Sequence, residues 1–382
     1  MPRYDFIDSL RGLAVALVLI LHIAEVYAGF ASGLKRSGFW ILSVSHLFDF
    51  GRMGVTIFFI ISGFVIPSGL TGPIGSGIVK FLVSRFFRLF PLFWLSIIIS
   101  LITQQWLAGK TPSVSDVLIN ATMLPDFFSV DLINGAYWTL TVELVFYAIC
   151  LALFATKLLG RPIVIACTSL ILTLTFLDRE YFHYYPIFQG KMGEYPLLLG
   201  FMFWGALARL RFNNVPMHKL TASIYWVICI WWLFVYPMAG FHEAYARVHV
   251  EVDMVPRLYG SYFGAFAIFF FSINFFRIEN YLLSYLGRIS YSVYLLHGPV
   301  IYLGKFTIER FATYEKTNIS LYTSVACISI LTIIASKFSY IYVELRFQYI
   351  GKQISSKLLQ STNRYSKNSP LRCSDSRELD RS

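Results

Sequence analysis

Charge is what this 382-residue chain has least of: Asp, Glu, Lys and Arg make up 14% of it, against about 25% in soluble domains. That scarcity excludes an ordinary soluble enzyme. Cysteine is also sparse, five residues with no CxxC pair, so neither a disulfide framework nor a zinc site is expected. No basic stretch interleaved with aromatics occurs, which removes the usual footprint of a nucleic-acid binder. What fills the space is apolar: 57% hydrophobic and 18% aromatic residues.

Apolar runs long enough to cross a bilayer recur along the chain. About ten are expected, near 12–31, 52–70, 87–107, 136–156, 162–178, 194–210, 220–240, 258–276, 286–304 and 319–343. The expected fold is an all-α polytopic membrane bundle with both termini cytoplasmic. Lys80, Arg85, Arg88, Lys157, Arg161, Arg209, Arg211, Lys219, Arg277 and Arg288 would then crowd the inner loops, while the acidic residues Asp116, Asp126, Asp131, Asp178, Glu243 and Glu251 fall outside. Topology and anionic lipid thus account for most of the net charge of +11. Residues 1–346 read as one membrane domain and 347–382 as a polar, disordered cytoplasmic tail. A cleaved leader is the competing reading of the first run, but Asp5, Asp8 and His22 fit a signal peptide poorly.

Within that first run Arg11 and His22 stand eleven residues apart. At roughly 100° per residue they return to within about 20° of one face, about 16 Å apart along the axis. Everything between them is apolar. An ionisable side chain in hydrocarbon costs several kcal/mol and normally faces a bundle interior in a functional role. A cation near the membrane edge and an imidazole deeper in point to anion steering and proton handling.

Five separated stretches carry a resemblance. They are Asp8-Ser9-Leu10-Arg11-Gly12-Leu13-Ala14 followed by His22; Phe58-Phe59-Ile60-Ile61-Ser62-Gly63-Phe64-Val65-Ile66; Arg85-Phe86-Phe87-Arg88-Leu89-Phe90-Pro91; Tyr137-Trp138-Thr139-Leu140-Thr141-Val142-Glu143 followed by Phe146-Tyr147; and Leu286-Gly287-Arg288-Ile289-Ser290-Tyr291-Ser292 followed by Tyr294-Leu295 and His297-Gly298-Pro299. In order and spacing they resemble acyltransferase family 3, integral-membrane O-acyltransferases that modify glycans and other extracytoplasmic acceptors. The last span departs from the family's Glu-x-Pro-Phe ending, reading Glu344-Leu345-Arg346-Phe347. No function is therefore carried onto that end. The family's appended hydrolase-like domain is also not expected in a chain of this length.

The resemblance implies transfer of an acyl group, acetyl being the expected one, from cytoplasmic acyl-CoA to a glycan or lipid-linked sugar hydroxyl. The expected setting is a bacterial cytoplasmic membrane, with no bound cofactor and no metal. A near-neutral imidazole suits removal of the hydroxyl proton, which places His22 as the base. The bland alternative is a histidine satisfied within the bundle. Arg11, Arg85 and Arg88 fit the CoA phosphates, the RxxR spacing putting two guanidiniums one turn apart; positive-inside anchoring would explain them equally.

Glu143, about 10 Å into its span, is expected either to orient His22 or to bind the acceptor, or else to pair with another helix. Glu25, one turn beyond His22, would polarise the imidazole or meet water. His297, at a depth like that of His22, would contact the acceptor, share the cavity or sit satisfied in the core. Tyr137 and Trp138 read as an interfacial aromatic belt, with sugar stacking as their other role. Ser62, Ser290 and Tyr294 read as helix-packing residues. His183-Tyr184-Tyr185, His242 and His249 fall in outer loops, and a metal site of His242, His249 and Glu243 is disfavoured by its loose spacing. The same buried Arg, His and Glu residues would also serve a transporter or flippase for a lipid-linked sugar or small anion.

Overall fold

A chain this apolar must pair its backbone N–H and C=O groups internally, and within a single segment only the helix does so. The computed structural model, which describes residues 4–28, 48–109, 111–181, 192–239, 254–315 and 321–367, is helical, with no strand among those residues. In chain order the helices are α1 (Asp5–Ala28), α2 (Phe50–Val65), α3 (Ile74–Ala108), α4 (Val114–Ala121), α5 (Trp138–Ala155), α6 (Pro162–Tyr181), α7 (Tyr195–Phe212), α8 (Lys219–Ile230), α9 (Met254–Asn274), α10 (Tyr281–Arg288), α11 (Ser290–Glu315), α12 (Leu321–Ser339) and α13 (Leu345–Lys367). Short π-helical turns at Trp231–Val235 and Tyr340–Glu344 extend α8 and join α12 to α13.

Among the described residues six helical segments are long and apolar enough to cross a membrane: Asp5–Val26, Phe50–Gly69, Ile74–Thr103, Gly135–Ala155, Lys219–Ala239 and Thr323–Leu358. The four other runs expected to span coincide with α6, α7, α9 and α11, which do not meet both conditions. In α7 the residues from Tyr195 to Ala208 are buried without a break, so other helices surround that stretch.

Two boundaries differ from the sequence-based expectation. The third span was expected from residue 87, yet α3 begins at Ile74, so Arg85 and Arg88 lie well inside a helix and not at its end. The residues before 87 mix apolar and polar side chains too evenly to register as a run. Likewise 347–367, expected as the start of a disordered tail, belongs to α13, which packs along α3 with Gly351 and Ser355 buried in the contact. An amphipathic helix hides its apolar stripe from an average over composition.

Helix α1 packs against α2, α10, α11 and α12, and α2 packs in turn against α7 and α9. Close approach at these seams depends on glycine. A Cβ on Gly63 of α2 would lie 1.7 Å from the Met202 carbonyl oxygen of α7, and one on Gly205 of α7 would lie 2.2 Å from that of Ile60 on α2. Each glycine thus admits the backbone of the other helix. Without a hydrophobic drive between helices in lipid, such contacts are what hold a bundle. Gly12 of α1 and Gly287 of α10 make the same reciprocal contact. Gly205→Val should therefore lower the unfolding midpoint in detergent by many degrees, because backbone must move. Gly75→Val, at a position with nothing within 4 Å of the added carbon, should leave the midpoint unchanged.

Candidate active site

Arg11 and His22 share one stripe of α1, and that stripe opens onto two adjoining cavities. The first is lined by Arg11, by Ser62 and Ile66 of α2, by Arg85 and Arg88 of α3, by Thr139, Leu140 and Glu143 of α5, and by Ser290, Tyr291 and Tyr294 of α11. The second is lined by His22 and Glu25 of α1, Asp49, Gly51 and Arg52 around the start of α2, Asn134 and Trp138 at the entry to α5, and Tyr294, His297 and Tyr302 of α11. Val55 and Tyr294 border both.

The first cavity is a cation cluster. Arg11 Nη1 lies 3.9 Å from Asp8 Oδ1, a loose pair within one turn of α1. The Arg85 guanidinium sits over the rings of Phe81 and Tyr147, with centroid distances of 5.3 and 5.5 Å. Tyr147 donates its hydroxyl to Glu143 Oε1 at 2.5 Å. Three guanidiniums thus face one carboxylate in the lining. Like charges held together away from bulk water repel strongly unless an anion fills the space. A phosphate-bearing ligand is the chemistry that relieves this, because planar guanidiniums bind phosphate oxygens two at a time.

The second cavity holds a histidine pair. His22 Nδ1 and His297 Nε2 are 3.0 Å apart, with the rings stacked at 9° and a centroid distance of 5.1 Å. His297 Nδ1 lies 2.6 Å from the Tyr294 carbonyl oxygen. A carbonyl only accepts, so His297 carries its proton on Nδ1 and its Nε2 is the acceptor in the neutral pair. The proton in the His22–His297 bond then belongs to His22 Nδ1. His22 Nε2 is left with a free lone pair. A Cβ on Gly51 would stand 3.9 Å from that atom, so glycine there keeps it open to the cavity. A base oriented through its second nitrogen is the arrangement that proton abstraction requires.

Around the rim, Arg257 donates to Glu25 Oε1 at 3.1 Å, and the Glu25 side chain is 50% exposed. Exposed pairs contribute about 0–1 kcal/mol. Deeper in, Arg52 Nη1 donates to Glu194 and, at 3.0 Å, to the Tyr262 hydroxyl, while the backbone N–H of Arg52 donates to Asp49 Oδ1 at 2.8 Å. This knot fastens α2 to α7 and α9 beside the histidines.

The eight residues expected from the sequence to act in catalysis, in substrate binding or in their support each line one of the two cavities. His22, His297, Glu25 and Trp138 share the second, and Arg11, Arg85, Arg88 and Glu143 the first. The partner of the His22 imidazole is His297, whereas Glu143 faces the arginines and holds Tyr147. Tyr137 is not an interfacial residue: it is 1% exposed and its hydroxyl lies 2.8 Å from Ser96 Oγ inside the bundle. Arg52, Asp49 and Glu194 were missed. An arginine in the first turn of an apolar helix, Gly51-Arg52-Met53-Gly54, was the available signal.

Glu344, given no function from the sequence, is 4% exposed and bonded by Ser292 at 3.0 Å and by Gln348 at 3.0 Å. The residues of the outer-loop readings, His183-Tyr184-Tyr185, His242, Glu243 and His249, lie outside the described residues. Among the described residues no three His, Cys, Asp or Glu side chains gather in a way that could hold a metal ion.

The family model of the acyltransferase domain of acyltransferase family 3 matches residues 4–337, most of the chain. The chain belongs to acyltransferase family 3. It is an acyltransferase, and its apolar helices make it an integral membrane protein. No curated protein and no solved structure matches the chain.

If His297 fixes the His22 tautomer, His297→Phe should cut kcat by about 10²–10⁴, the range for loss of a working base. The KM for the acyl donor should change little. His297→Gln, whose amide oxygen accepts from His22 Nδ1, should recover part of the loss. Steady-state rates of acyl transfer would show both.

Proposed function

We propose that this protein is an integral-membrane O-acyltransferase that moves an acyl group, acetyl above all, from cytoplasmic acyl-CoA to a hydroxyl of an extracytoplasmic glycan. The observation that carries the reading is the pair of adjoining cavities, one lined by three arginines and the other holding a histidine with a free Nε2. In this reading about ten helices span the bacterial cytoplasmic membrane, with both termini and the Arg11 end of α1 at the cytoplasm. Arg11, Arg85 and Arg88 grip the CoA phosphates at the inner side. The glycan, free or lipid-linked, enters from the other side past Glu25 and Trp138, whose indole offers a face for a sugar ring.

The chemistry then follows from the tautomer. The acceptor hydroxyl oxygen attacks the thioester carbonyl carbon, and its proton passes to His22 Nε2. The bond to Nδ1 lets His297 share the positive charge that develops on the imidazole. The tetrahedral intermediate collapses with loss of the C–S bond, giving the ester and a thiolate, and the thiolate takes the proton back from Nε2 to leave as CoA thiol. Glu143 and Tyr147 hold the arginine side chains in place around the donor.

The test is CoA release by the purified protein in nanodiscs, with a panel of acyl-CoA donors and a pool of extracytoplasmic glycans as acceptors. His22→Ala should abolish acceptor-dependent release while leaving acyl-CoA binding intact. Arg11→Ala and Arg88→Ala should each raise the KM for acyl-CoA roughly tenfold or more, as loss of a hydrogen bond to a charged group worth about 1.5–3 kcal/mol requires. Undiminished release by His22→Ala would contradict the reading.

A further inference from the structure

The two cavities touch where Val55 and Tyr294 line both. Val18 of α1 and Ala136, just before α5, pack with Tyr294 at this point, with Val55 of α2 against them. A ring of apolar contacts drawn from four elements therefore stands where the arginine cavity meets the histidine cavity, with Val55 and Tyr294 on both linings. Its largest member is held in place. The Tyr294 hydroxyl donates to the Ala136 carbonyl at 3.0 Å and lies 2.8 Å from Thr139 Oγ1. Phe58 meets its ring edge-on at 6.2 Å. The backbone carbonyl of the same residue fixes the proton on His297.

The donor's two ends meet different conditions at such a ring. Phosphates would lose their hydration and their guanidiniums by entering it, so they stay on the Arg11 side. Only the thin acyl-bearing end reaches His22 through it. One methylene more or less in a close-fitting apolar passage is worth about 10–200-fold in discrimination. A carboxylate on the acyl group would pass with no partner in the ring.

We propose that Val55 and Tyr294 form the constriction that selects the acyl group, admitting a short uncharged acyl chain such as acetyl and excluding longer or carboxylated ones. The inference rests on the donor and base positions proposed above and adds the residues that set donor specificity. Thr139 is a positioning residue here, since it acts by tethering the Tyr294 hydroxyl.

The experiment compares CoA release from acetyl-, butyryl- and succinyl-CoA by wild type, Val55→Ala and Tyr294→Phe in nanodiscs, with unfolding midpoints measured alongside. Wild type should prefer acetyl-CoA over both other donors. Val55→Ala, which widens the ring, should raise the butyryl-to-acetyl ratio of kcat/KM about tenfold. Tyr294→Phe, which keeps the ring but cuts both tethers, should raise the same ratio and leave succinyl-CoA poor. An unchanged ratio in both variants, or a uniform loss with all three donors, would overturn the constriction while leaving His22-dependent turnover standing. Absence of any His22-dependent release in wild type would instead overturn the proposed function, and the constriction with it.

Discussion

The hydrogen bond between His22 Nδ1 and His297 Nε2 is the interaction on which the proposed chemistry depends. Its direction is settled by a third atom, the Tyr294 carbonyl oxygen, which as an acceptor dictates where the proton of His297 resides. Two helices distant in sequence, α1 and α11, must be packed to within a fraction of an ångström for this to hold. The glycine seams that bring α1 against α10, and α2 against α7, supply that closeness. Core packing, backbone and base therefore form one argument: loosen the seams and His22 loses its defined tautomer.

The second constraint is the separation of charge along α1. Cations gather at the Arg11 end, and the histidines sit about three turns away with carboxylates and an arginine knot around them. A bilayer penalises both groups, so each is kept in a protein-lined cavity, and each cavity is suited to a different ligand. The apolar ring at Val55 and Tyr294 keeps the two environments apart. In the proposed reading, such a division lets a polyanionic donor and a polyhydroxyl acceptor meet only at their reacting ends.

Much of this was legible in the sequence because helical spacing is simple arithmetic. The eleven-residue interval placed Arg11 and His22 on one stripe, and the RxxR interval placed Arg85 and Arg88 one turn apart. What spacing does not encode is where a stripe crosses from one cavity to the next, and so it did not separate Glu143 from His22. Tyr294 read as a packing residue because nothing local marks a tyrosine that bounds two cavities. The Arg52–Glu194 pair joins positions 142 residues apart, and its partner stands just before an apolar helix that looks unremarkable alone. Helix α13 was hidden for another reason: amphipathic polarity averages to the composition of a disordered tail.

The most direct measurement of the central claim is the side-chain ¹⁵N spectrum of the two histidines in lipid nanodiscs, assigned with His22→Ala and His297→Ala. The account predicts both rings neutral and both protonated on Nδ1, His22 donating to His297 and presenting a bare Nε2 to the cavity. A His22 ring protonated on Nε2 would contradict it, because the atom assigned to take the acceptor's proton would already carry one.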